Sequence, residues 1–264
     1  MGRIVAAFGV AHAPQILAAP ETEDQAQLAA VHAAFESMRQ TLVARRPEAF
    51  LIIGNDHLES FFLDAFPALA VYTGLRCEGS FGRYTYAFPV HEALSSALLH
   101  EAIAAGFDLA FSQAAVFGHE FLVPMHFVLK GLDIPVVPIF VNGYVPPQPL
   151  PRRCYDFGAA LARIIERRPE SVAVMATGGL SHYPGTERYG NPDFEFDRRI
   201  LRLVEGGGVE EIVAISAEEL DAAGNVELRS WITLLGMIGK APGTVLTYQP
   251  SWHHGYAMVS WDLT

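Results

Sequence analysis

With 264 residues, 51% of them hydrophobic and 18% charged, the chain has enough apolar material for one large domain or two small ones. Its net charge of −11 argues against binding to nucleic acid or to an anionic membrane surface, which requires clustered Lys and Arg. The two cysteines, Cys77 and Cys154, stand far apart in no metal or redox spacing, which favours a reducing compartment over a disulfide framework.

The N-terminal segment has one Arg and a short apolar run, without the charged leader and long apolar core of a signal peptide. No run of about 18 apolar residues occurs, so we expect no transmembrane helix. These features predict a soluble protein of the cytoplasm.

Seven short apolar runs, often β-branched and mostly flanked by Gly, Pro or Asn, predict β-strands. In chain order they are RIVAAFG, AFLIIGN, ALAVYTG, VVPIFVN, SVAVMAT, TVLTYQ and YAMVSW. Their continuous apolar character is typical of strands that are buried on both faces. Because only PSWHHG separates the last two runs, we expect that pair to be antiparallel.

Apolar residues at helical spacing predict six helices between these strands. The clearest stripe runs from Leu28 to Leu42, and it follows a capping box formed by Thr22 and Gln25. The other five patterns cover residues 94–103, 157–165, 200–204, 216–219 and 226–239.

The alternation of strands and helices predicts an α/β fold, a layered α/β/α domain with a central mixed, partly parallel sheet. The Pro-rich segment 144–153 is interpreted as a surface loop, because strands and helices of similar character lie on both sides of it. We therefore expect residues 1–264 to form a single domain.

Three of the predicted strands lead into a histidine, namely His12, His57 and His182. In open α/β sheets, ligands bind outside the carboxyl ends of the strands. His12 and His57 are separated by about one strand–helix–strand unit, so their strands can be neighbours and their imidazoles can converge on one point. The alternative is that each histidine caps a strand end and bonds a loop. His182 follows two glycines, which allow the backbone to approach another group closely.

Glu227 lies in the first turn of the last predicted helix and faces the same way as Trp231 of the apolar stripe. A buried carboxylate is costly unless it is paired or bound to a metal, although a Glu at a helix start is also stabilised by the helix dipole. Two histidines and one carboxylate form the facial triad of non-haem Fe(II) oxygenases, and the same set suits zinc.

These stretches together resemble the type III extradiol ring-cleaving dioxygenases, the family of the catalytic β-subunit of protocatechuate 4,5-dioxygenase. The likeness runs from GVAHAPQI to GYAMVSW and so covers nearly the whole chain. It rests on the two early histidines, on the turn GGLSH, and on Gly224, Glu227 and Trp231 of a G-x-x-E-x-x-x-W segment.

The resemblance implies that His12, His57 and Glu227 bind Fe(II) and that His182 is the acid–base catalyst. A catechol-type substrate and O2 would then share the remaining metal positions. Asp56, next to His57, is a candidate hydrogen-bond partner that orients this imidazole, or it caps its own loop.

One segment departs from the family pattern. The family often has Asp-His-Gly before an apolar run, and its histidine assists at the substrate; here the sequence is Gly118-His119-Glu120. His119 is therefore a second candidate catalytic residue with altered neighbours. We also expect a homo-oligomer, and since some relatives work with a small helical subunit that covers the site, a separate small subunit is a further candidate partner.

The substrate pocket has three candidates. Arg83 and Tyr84 can meet a substrate carboxylate, or they belong to an exposed strand. His253 lines a pocket, or it is a loop residue. Two other functions stay open at this point: a non-enzymatic binding or signalling homologue of the same fold, and a Zn-dependent hydrolase.

Overall fold

The computed structural model describes residues 2–263, in which ten strands form two sheets. The strands are β1 (Arg3–Val10), β2 (Ala49–Gly54), β3 (Leu69–Tyr72), β4 (Arg76–Phe81), β5 (Tyr84–Pro89), β6 (Ala110–Ser112), β7 (Val136–Val141), β8 (Ser171–Thr177), β9 (Thr244–Pro250) and β10 (Gly255–Trp261). All seven strands predicted from apolar runs are confirmed. The sequence patterns missed β6 and did not resolve the hairpin β4–β5.

The main sheet has the order β6-β3-β7-β2-β8-β1-β10-β9. Its four central strands, β7, β2, β8 and β1, are mutually parallel. On either side, β3 and β10 pair antiparallel with this group, β9 pairs antiparallel with β10 as predicted, and β6 pairs parallel with β3. The expectation of a mixed, partly parallel sheet is therefore confirmed, and the carboxyl ends of four adjacent strands lie at one edge.

The idea that β1 and β2 are direct neighbours is wrong, because β8 lies between them. Ala173 of β8 is in register with Ala6 of β1 on one side and with Phe50 of β2 on the other. The crossover from β1 to β2 passes over one position in the sheet, and a strand from much later in the chain fills it. This arrangement places the end of β8 between the ends of β1 and β2.

Residues 2–263 contain nine helices. They are α1 (Pro14–Ala18), α2 (Gln25–Arg45), α3 (Glu92–Ala104), α4 (His119–Val128), α5 (Pro151–Glu166), α6 (Phe194–Gly206), α7 (Val209–Val213), α8 (Ala217–Ala222) and α9 (Leu228–Ile238). None of those within residues 2–263 is long and apolar enough to cross a bilayer. All six predicted helices are present.

Helices cover both faces of the main sheet. Side chains alternate along β8, so that Val174 belongs to a core with α3, α5, α6 and α9, and Met175 belongs to a second core with α2 and α4. The predicted stripe of α2 is buried in the second core. These two cores confirm the α/β/α layering.

Two boundaries differ from the sequence predictions. The cap of α2 is Asp24, whose Oδ1 accepts from the N–H groups of Ala26 and Gln27, so the Thr22–Gln25 capping box is wrong. The Pro-rich loop ends at Leu150, because Pro151 is suited to the first turn of α5.

The helices α5 and α9 cross at unusually short range, at Gly158 and Gly236. A Cβ added to Gly158 would lie 1.8 Å from the Thr233 carbonyl oxygen, and one added to Gly236 would lie 2.0 Å from that of Tyr155. The two glycines therefore allow backbone-to-backbone packing. This packing positions the start of α9 against the carboxyl edge of the sheet, where Trp231 Nε1 donates to the Gly178 carbonyl at 3.2 Å.

We predict that Gly158→Ala lowers the free energy of unfolding by at least about 1–3 kcal/mol, because the methyl group overlaps the α9 backbone. The matched control is Gly206→Ala, since Gly206 is helical and exposed, and a Cβ added there meets no atom within 4 Å. That control should raise stability by up to about 1 kcal/mol through helix propensity. Urea unfolding followed by circular dichroism measures both, and equal effects would contradict the close crossing.

Candidate metal centre and active site

The site lies where the four central parallel strands end. Tyr144 follows β7, His57 follows β2, His182 follows β8 and His12 follows β1. The ring centroids of His12 and His57 are 5.1 Å apart, and those of His57 and Tyr144 are 4.9 Å apart. The histidines predicted at strand ends do converge, and the strand between β1 and β2 contributes one of them.

A single buried carboxylate accepts contacts from this ring of side chains. Oε1 of Glu227 lies 3.0 Å from His12 Nε2 and 2.9 Å from His57 Nε2. The Tyr144 hydroxyl donates to the same oxygen at 2.7 Å. The other oxygen, Oε2, accepts from the Gly179 N–H at 2.6 Å. Glu227 is fully buried, and no bond caps its own helix; it is the N-cap residue of α9, immediately before the helical stretch.

The charges at this centre are set by burial and by mutual contact. Burial lowers the pKa of His12 to about 4, so its imidazole is neutral at pH 7. Burial also opposes a charge on His57, but the hydrogen bond and negative charge of Glu227 outweigh it and raise the His57 pKa. For Glu227, burial is outweighed by its interactions with the imidazoles of His12 and His182 and by the hydrogen bonds with His12 and His57, so its pKa is held well below the usual range.

The arrangement fits a divalent cation. Each imidazole nitrogen facing the carboxylate needs a proton or a metal ion between the two atoms, and both imidazoles face the same oxygen. One ion between the three groups would satisfy both imidazoles at once. His12, His57 and His119 also offer ligand atoms within 4.8 Å of one another, so His119 is an alternative third donor. The donor set of two imidazoles and a carboxylate suits Fe(II) or Zn(II).

Further contacts fix the orientation of His12 and Glu227. His12 Nδ1 is 3.1 Å from the hydroxyl of Thr177, the last residue of β8. Behind Glu227, Ser230 Oγ donates to Asn55 Oδ1 at 3.0 Å, which ties the first turn of α9 to the end of β2. The predicted ligand residues are therefore held by neighbours as well as by one another.

His182 has one nitrogen engaged and one facing the site. Its Nδ1–H donates to the Leu180 carbonyl at 2.8 Å, and its Nε2 lies 3.0 Å from the Tyr144 hydroxyl. The ring stacks on His254, with centroids 4.1 Å apart. The turn is held by Asp197, which accepts from the Ser181 N–H at 2.8 Å.

His119 begins α4 and stacks on His57, with ring centroids 4.4 Å apart. Burial lowers its pKa, although Glu59, whose Oε1 is 3.6 Å from Nδ1, opposes this effect. Glu120 points inward with its side chain fully buried. Burial raises the pKa of this carboxyl to about 8.

Asp56 does not take the position beside the His57 ring that its sequence suggested. Its carboxylate accepts from the N–H groups of Leu58, Ser60 and Phe61 and so caps the loop after β2. The loop turns sharply there, since Leu58 has a φ of 64°. Asp56 thus fixes the backbone beside His57 rather than its ring.

A cavity of about 410 Å³ opens beside these residues. It is lined by His12, Ala13, Pro14, Gln15, His57, Leu58, His119, Tyr144, His182, Pro184, Tyr189, His253 and His254. Five of the predicted site residues are in this lining, and Glu227 lies behind it. An aromatic molecule the size of a catechol fits a cavity of this volume.

Of the three residues predicted to line the substrate pocket, only one does. His253 lines the cavity, and its Nε2 lies 3.0 Å from Glu23, a buried carboxylate that also accepts from Trp252 and Tyr256. Arg83 and Tyr84 do not line it, so that expectation is wrong.

Arg83 follows the turn at Gly82 in the hairpin β4–β5 and is exposed. Its guanidinium donates to the Tyr84 hydroxyl at 2.9 Å.

Tyr144, Glu120 and Glu23 belong to the site although the sequence did not single them out. For Tyr144 a signal was present, because VVPIFVNGY is a buried strand followed by a polar residue, as in the three histidine-bearing stretches. For Glu23, in the loop before α2, no pattern links it to His253 near the opposite end of the chain.

Comparison with known proteins yields one family and a set of relatives. A family model described as the catalytic LigB subunit of aromatic ring-opening dioxygenase matches residues 6–259. The chain is 27% identical over 283 residues to 2,3-dihydroxyphenylpropionate/2,3-dihydroxicinnamic acid 1,2-dioxygenase of Escherichia coli strain K12, covering 87% of this chain and 90% of that protein. The protein of the same name from strain SMS-3-5 matches equally.

A solved structure shares the fold. The crystal structure of an uncharacterized protein from Escherichia coli K12 superimposes with a TM-score of 0.68 at 13% sequence identity. The match covers 97% of this chain and 99% of that one.

We predict that His12 gives the metal-free protein a contribution to stability that is lost as the pH falls from about 6.5 towards 4, opposite in sign to the contribution of the buried Glu120 carboxyl. In that window the unfolded chain binds a proton at His12 while the folded chain does not, because the folded pKa is about 4. The depressed pKa therefore contributes stability above pH 6.5 that is lost on acidification, by at most about 3 kcal/mol.

Urea unfolding at pH 7, 6 and 5 in the presence of a chelator tests this prediction. The difference in unfolding free energy between wild type and His12→Asn should shrink as the pH falls from 7 to 5, whereas the difference for His100→Asn, on the exposed face of α3, should not depend on pH. A difference for the His12 variant that does not change with pH would contradict the assignment.

Proposed function

The chain belongs to the family of catalytic LigB subunits of aromatic ring-opening dioxygenases, and from this premise we propose that it is an Fe(II)-dependent extradiol dioxygenase acting on a catechol-type ring. The enzyme class, an aromatic ring-cleaving dioxygenase, follows from the family and its named relatives. The metal, its ligands and the substrate are the parts that we propose.

One observation carries the proposal. The Nε2 atoms of His12 and His57 both lie within 3.0 Å of one oxygen of Glu227, beside a cavity large enough for a substituted catechol. Two imidazoles and a carboxylate leave a metal ion with open positions for a chelating substrate and dioxygen. Glu227 is preferred over His119 as third ligand because its oxygen touches both imidazoles, while His119 Nδ1 faces Glu59.

When bound, Fe(II) would supply the redox chemistry by which both atoms of O2 enter the opened ring. The protein's part begins with ligand orientation. Thr177 holds the His12 ring, and the Gly179 N–H holds the second carboxylate oxygen of Glu227. These contacts keep three ligand atoms aimed at one point before any ion arrives, which reduces the reorganisation that binding requires.

His182 is proposed as the group that moves the proton. Its Nδ1–H is occupied by the Leu180 carbonyl, so Nε2 is the nitrogen free to accept a proton from a substrate hydroxyl in the cavity. The same nitrogen can return that proton when the ring bond breaks. The Tyr144 hydroxyl donates its one proton to Glu227 Oε1, and its oxygen lies 3.0 Å from His182 Nε2; burial raises the Tyr144 pKa well above the ordinary value, so the hydroxyl stays neutral.

His119 is proposed as a second catalytic residue that contacts the substrate from the other side of His57. Its ring lines the cavity, and its lowered pKa favours a neutral imidazole that can accept or share a proton.

The substrate is proposed from the relatives. Those from Escherichia coli are named for 2,3-dihydroxyphenylpropionate and 2,3-dihydroxicinnamic acid, both of which are substituted catechols. We propose a catechol-type compound of aromatic catabolism as the substrate here. A cytoplasmic setting is supported by Cys77 and Cys154, which are both buried free thiols.

We predict that metal-free protein incubated anaerobically with Fe(II) consumes O2 and forms a ring-opened product when given 2,3-dihydroxyphenylpropionate or 3-methylcatechol in air. Glu227→Ala and His12→Ala should lose metal binding and turnover together. An oxygen electrode, product spectra and metal analysis measure these outcomes. Turnover that is supported by Zn(II) without O2 uptake would favour a hydrolase instead, and retention of activity by His12→Ala would refute the ligand set.

We predict that His182→Ala retains bound metal but lowers kcat by about 10²–10⁴-fold, the usual effect of removing a general acid–base group. His100→Ala, exposed on α3, is the control and should retain wild-type turnover. Metal content and steady-state kinetics are compared. Loss of metal from the His182 variant would move this residue into the ligand set.

A further inference from the structure

Two polar atoms beside the proposed metal centre are buried and have no hydrogen-bond partner. They are Nδ1 of His57 and Oε2 of Glu120, and they lie 4.0 Å from each other. Glu120 is fully buried, so water does not solvate its carboxyl group. Buried polar groups in proteins are nearly always paired, so this pair of atoms requires an explanation.

A metal ion bound to Nε2, on the other side of the His57 ring, would explain why these two atoms face each other. An imidazole that binds a metal through Nε2 carries its proton on Nδ1, and that N–H is almost always given to a carboxylate, carbonyl or water. Glu120 presents its free oxygen to Nδ1, while its other oxygen is 3.4 Å from the Gly118 N–H. Asp56, the nearer acid in sequence, is committed to three backbone N–H groups of its loop.

The neighbouring glycine shows how the carboxyl group reaches this position. A Cβ added to Gly118 would lie 2.5 Å from Oε2 of Glu120, about the distance between an aspartate oxygen and its own Cβ. It would also lie 2.1 Å from Oε2 of Glu59. The carboxyl groups of Glu120 and Glu59 therefore share the space that a side chain at position 118 would fill, and of the two it is Glu120 whose oxygen lies near His57 Nδ1.

We propose that Glu120 is the positioning residue for His57, accepting the Nδ1–H hydrogen bond when Nε2 binds the metal. This inference rests on the proposed metal site. It adds a residue that touches neither metal nor substrate and acts only through the orientation and basicity of a ligand.

Two readouts should separate when Glu120 is replaced: Fe(II) affinity falls, whereas the stability of the metal-free protein does not. In the metal-free protein one oxygen of the buried carboxyl lacks a partner and the other has only a long contact, which is unfavourable, so replacing the group with an apolar one of similar volume should not lower stability. In the metal-bound protein the same replacement removes the acceptor for His57 Nδ1–H. A residue with only a structural role would lower both quantities together.

The experiment measures Fe(II) affinity by anaerobic equilibrium dialysis and the melting temperature of the metal-free protein. Glu120→Met should weaken Fe(II) binding by about 10–100-fold, the usual effect of losing such a partner, without lowering the melting temperature. Glu120→Gln, which keeps an acceptor oxygen, should lose less. The matched control is Glu170→Met, because Glu170 is also buried and lies 4.0 Å from His91 Nε2, but at the opposite edge of the sheet. It should bind Fe(II) as the wild type does.

Exchanging the two neighbours of His119 tests the position of the carboxyl group. Glu120→Gly alone should weaken Fe(II) binding as Glu120→Met does, and Gly118→Asp alone should lower the melting temperature through overlap with two carboxyl groups. The double variant Gly118→Asp/Glu120→Gly should recover affinity to within a few-fold of wild type. The backbone at 118 permits this exchange, since its φ is −95° and it is the N-cap of α4, where aspartate is favoured.

The outcomes separate this inference from the function on which it rests. Wild-type protein that binds Fe(II) and opens catechols, with Glu120→Met binding as tightly, would overturn the role of Glu120 alone. If Glu120→Met lowered both Fe(II) affinity and melting temperature, and the double variant did not recover affinity, Glu120 would have only a structural role. Wild-type protein that binds no Fe(II) would overturn both proposals.

Discussion

The carboxylate of Glu227 is the interaction on which the site depends. It is fully buried, and an isolated charge at that depth would be prohibitively unfavourable. The protein satisfies it with His12, His57 and Tyr144 on one oxygen and a backbone N–H on the other. The carboxylate in turn determines where those three side chains point. A buried charge that is costly in isolation thus becomes the group that aligns residues from distant parts of the chain.

Two features of the fold bring these residues to the carboxylate. The parallel strands β7, β2, β8 and β1 end side by side, so one residue after each strand reaches the same place. The glycine crossing of α5 and α9 then lets the start of α9 approach that edge, with Trp231 bonded to the Gly178 carbonyl. Neither the strand order nor the helix crossing involves a catalytic group, yet together they determine which side chains can meet at one point.

The sequence revealed a large part of this arrangement, and the limits have physical causes. Strands buried on both faces and amphipathic helices leave clear patterns, so the layers could be predicted. The short helix α4 is buried on most sides and contains Pro124, and therefore shows no amphipathic stripe. The order of strands depends on long-range pairing, which is why the insertion of β8 between β1 and β2 could not be read locally.

At the site the difference between local and spatial proximity is clearest for three acids. Glu227 was predictable because a glutamate on the apolar face of a helix start is unusual. Asp56 is adjacent to His57 in sequence, but adjacent side chains on an extended segment point in different directions, and it caps the loop. Glu120, far from His57 in the chain, faces its ring instead.

The departure from the family pattern around His119 therefore has a spatial interpretation. Where the family pattern has Asp-His-Gly, this chain has Gly118, His119 and Glu120. Compared position by position, the aspartate before the histidine is missing, which suggests a weakened site. In the folded chain the carboxyl groups of Glu120 and Glu59 lie where a Cβ at position 118 would be, and the missing Cβ makes room for them. On the role that we propose for Glu120, the site requires a hydrogen-bond acceptor beside His57 Nδ1. The longer glutamate side chain can meet that requirement from a position where an aspartate would be too short.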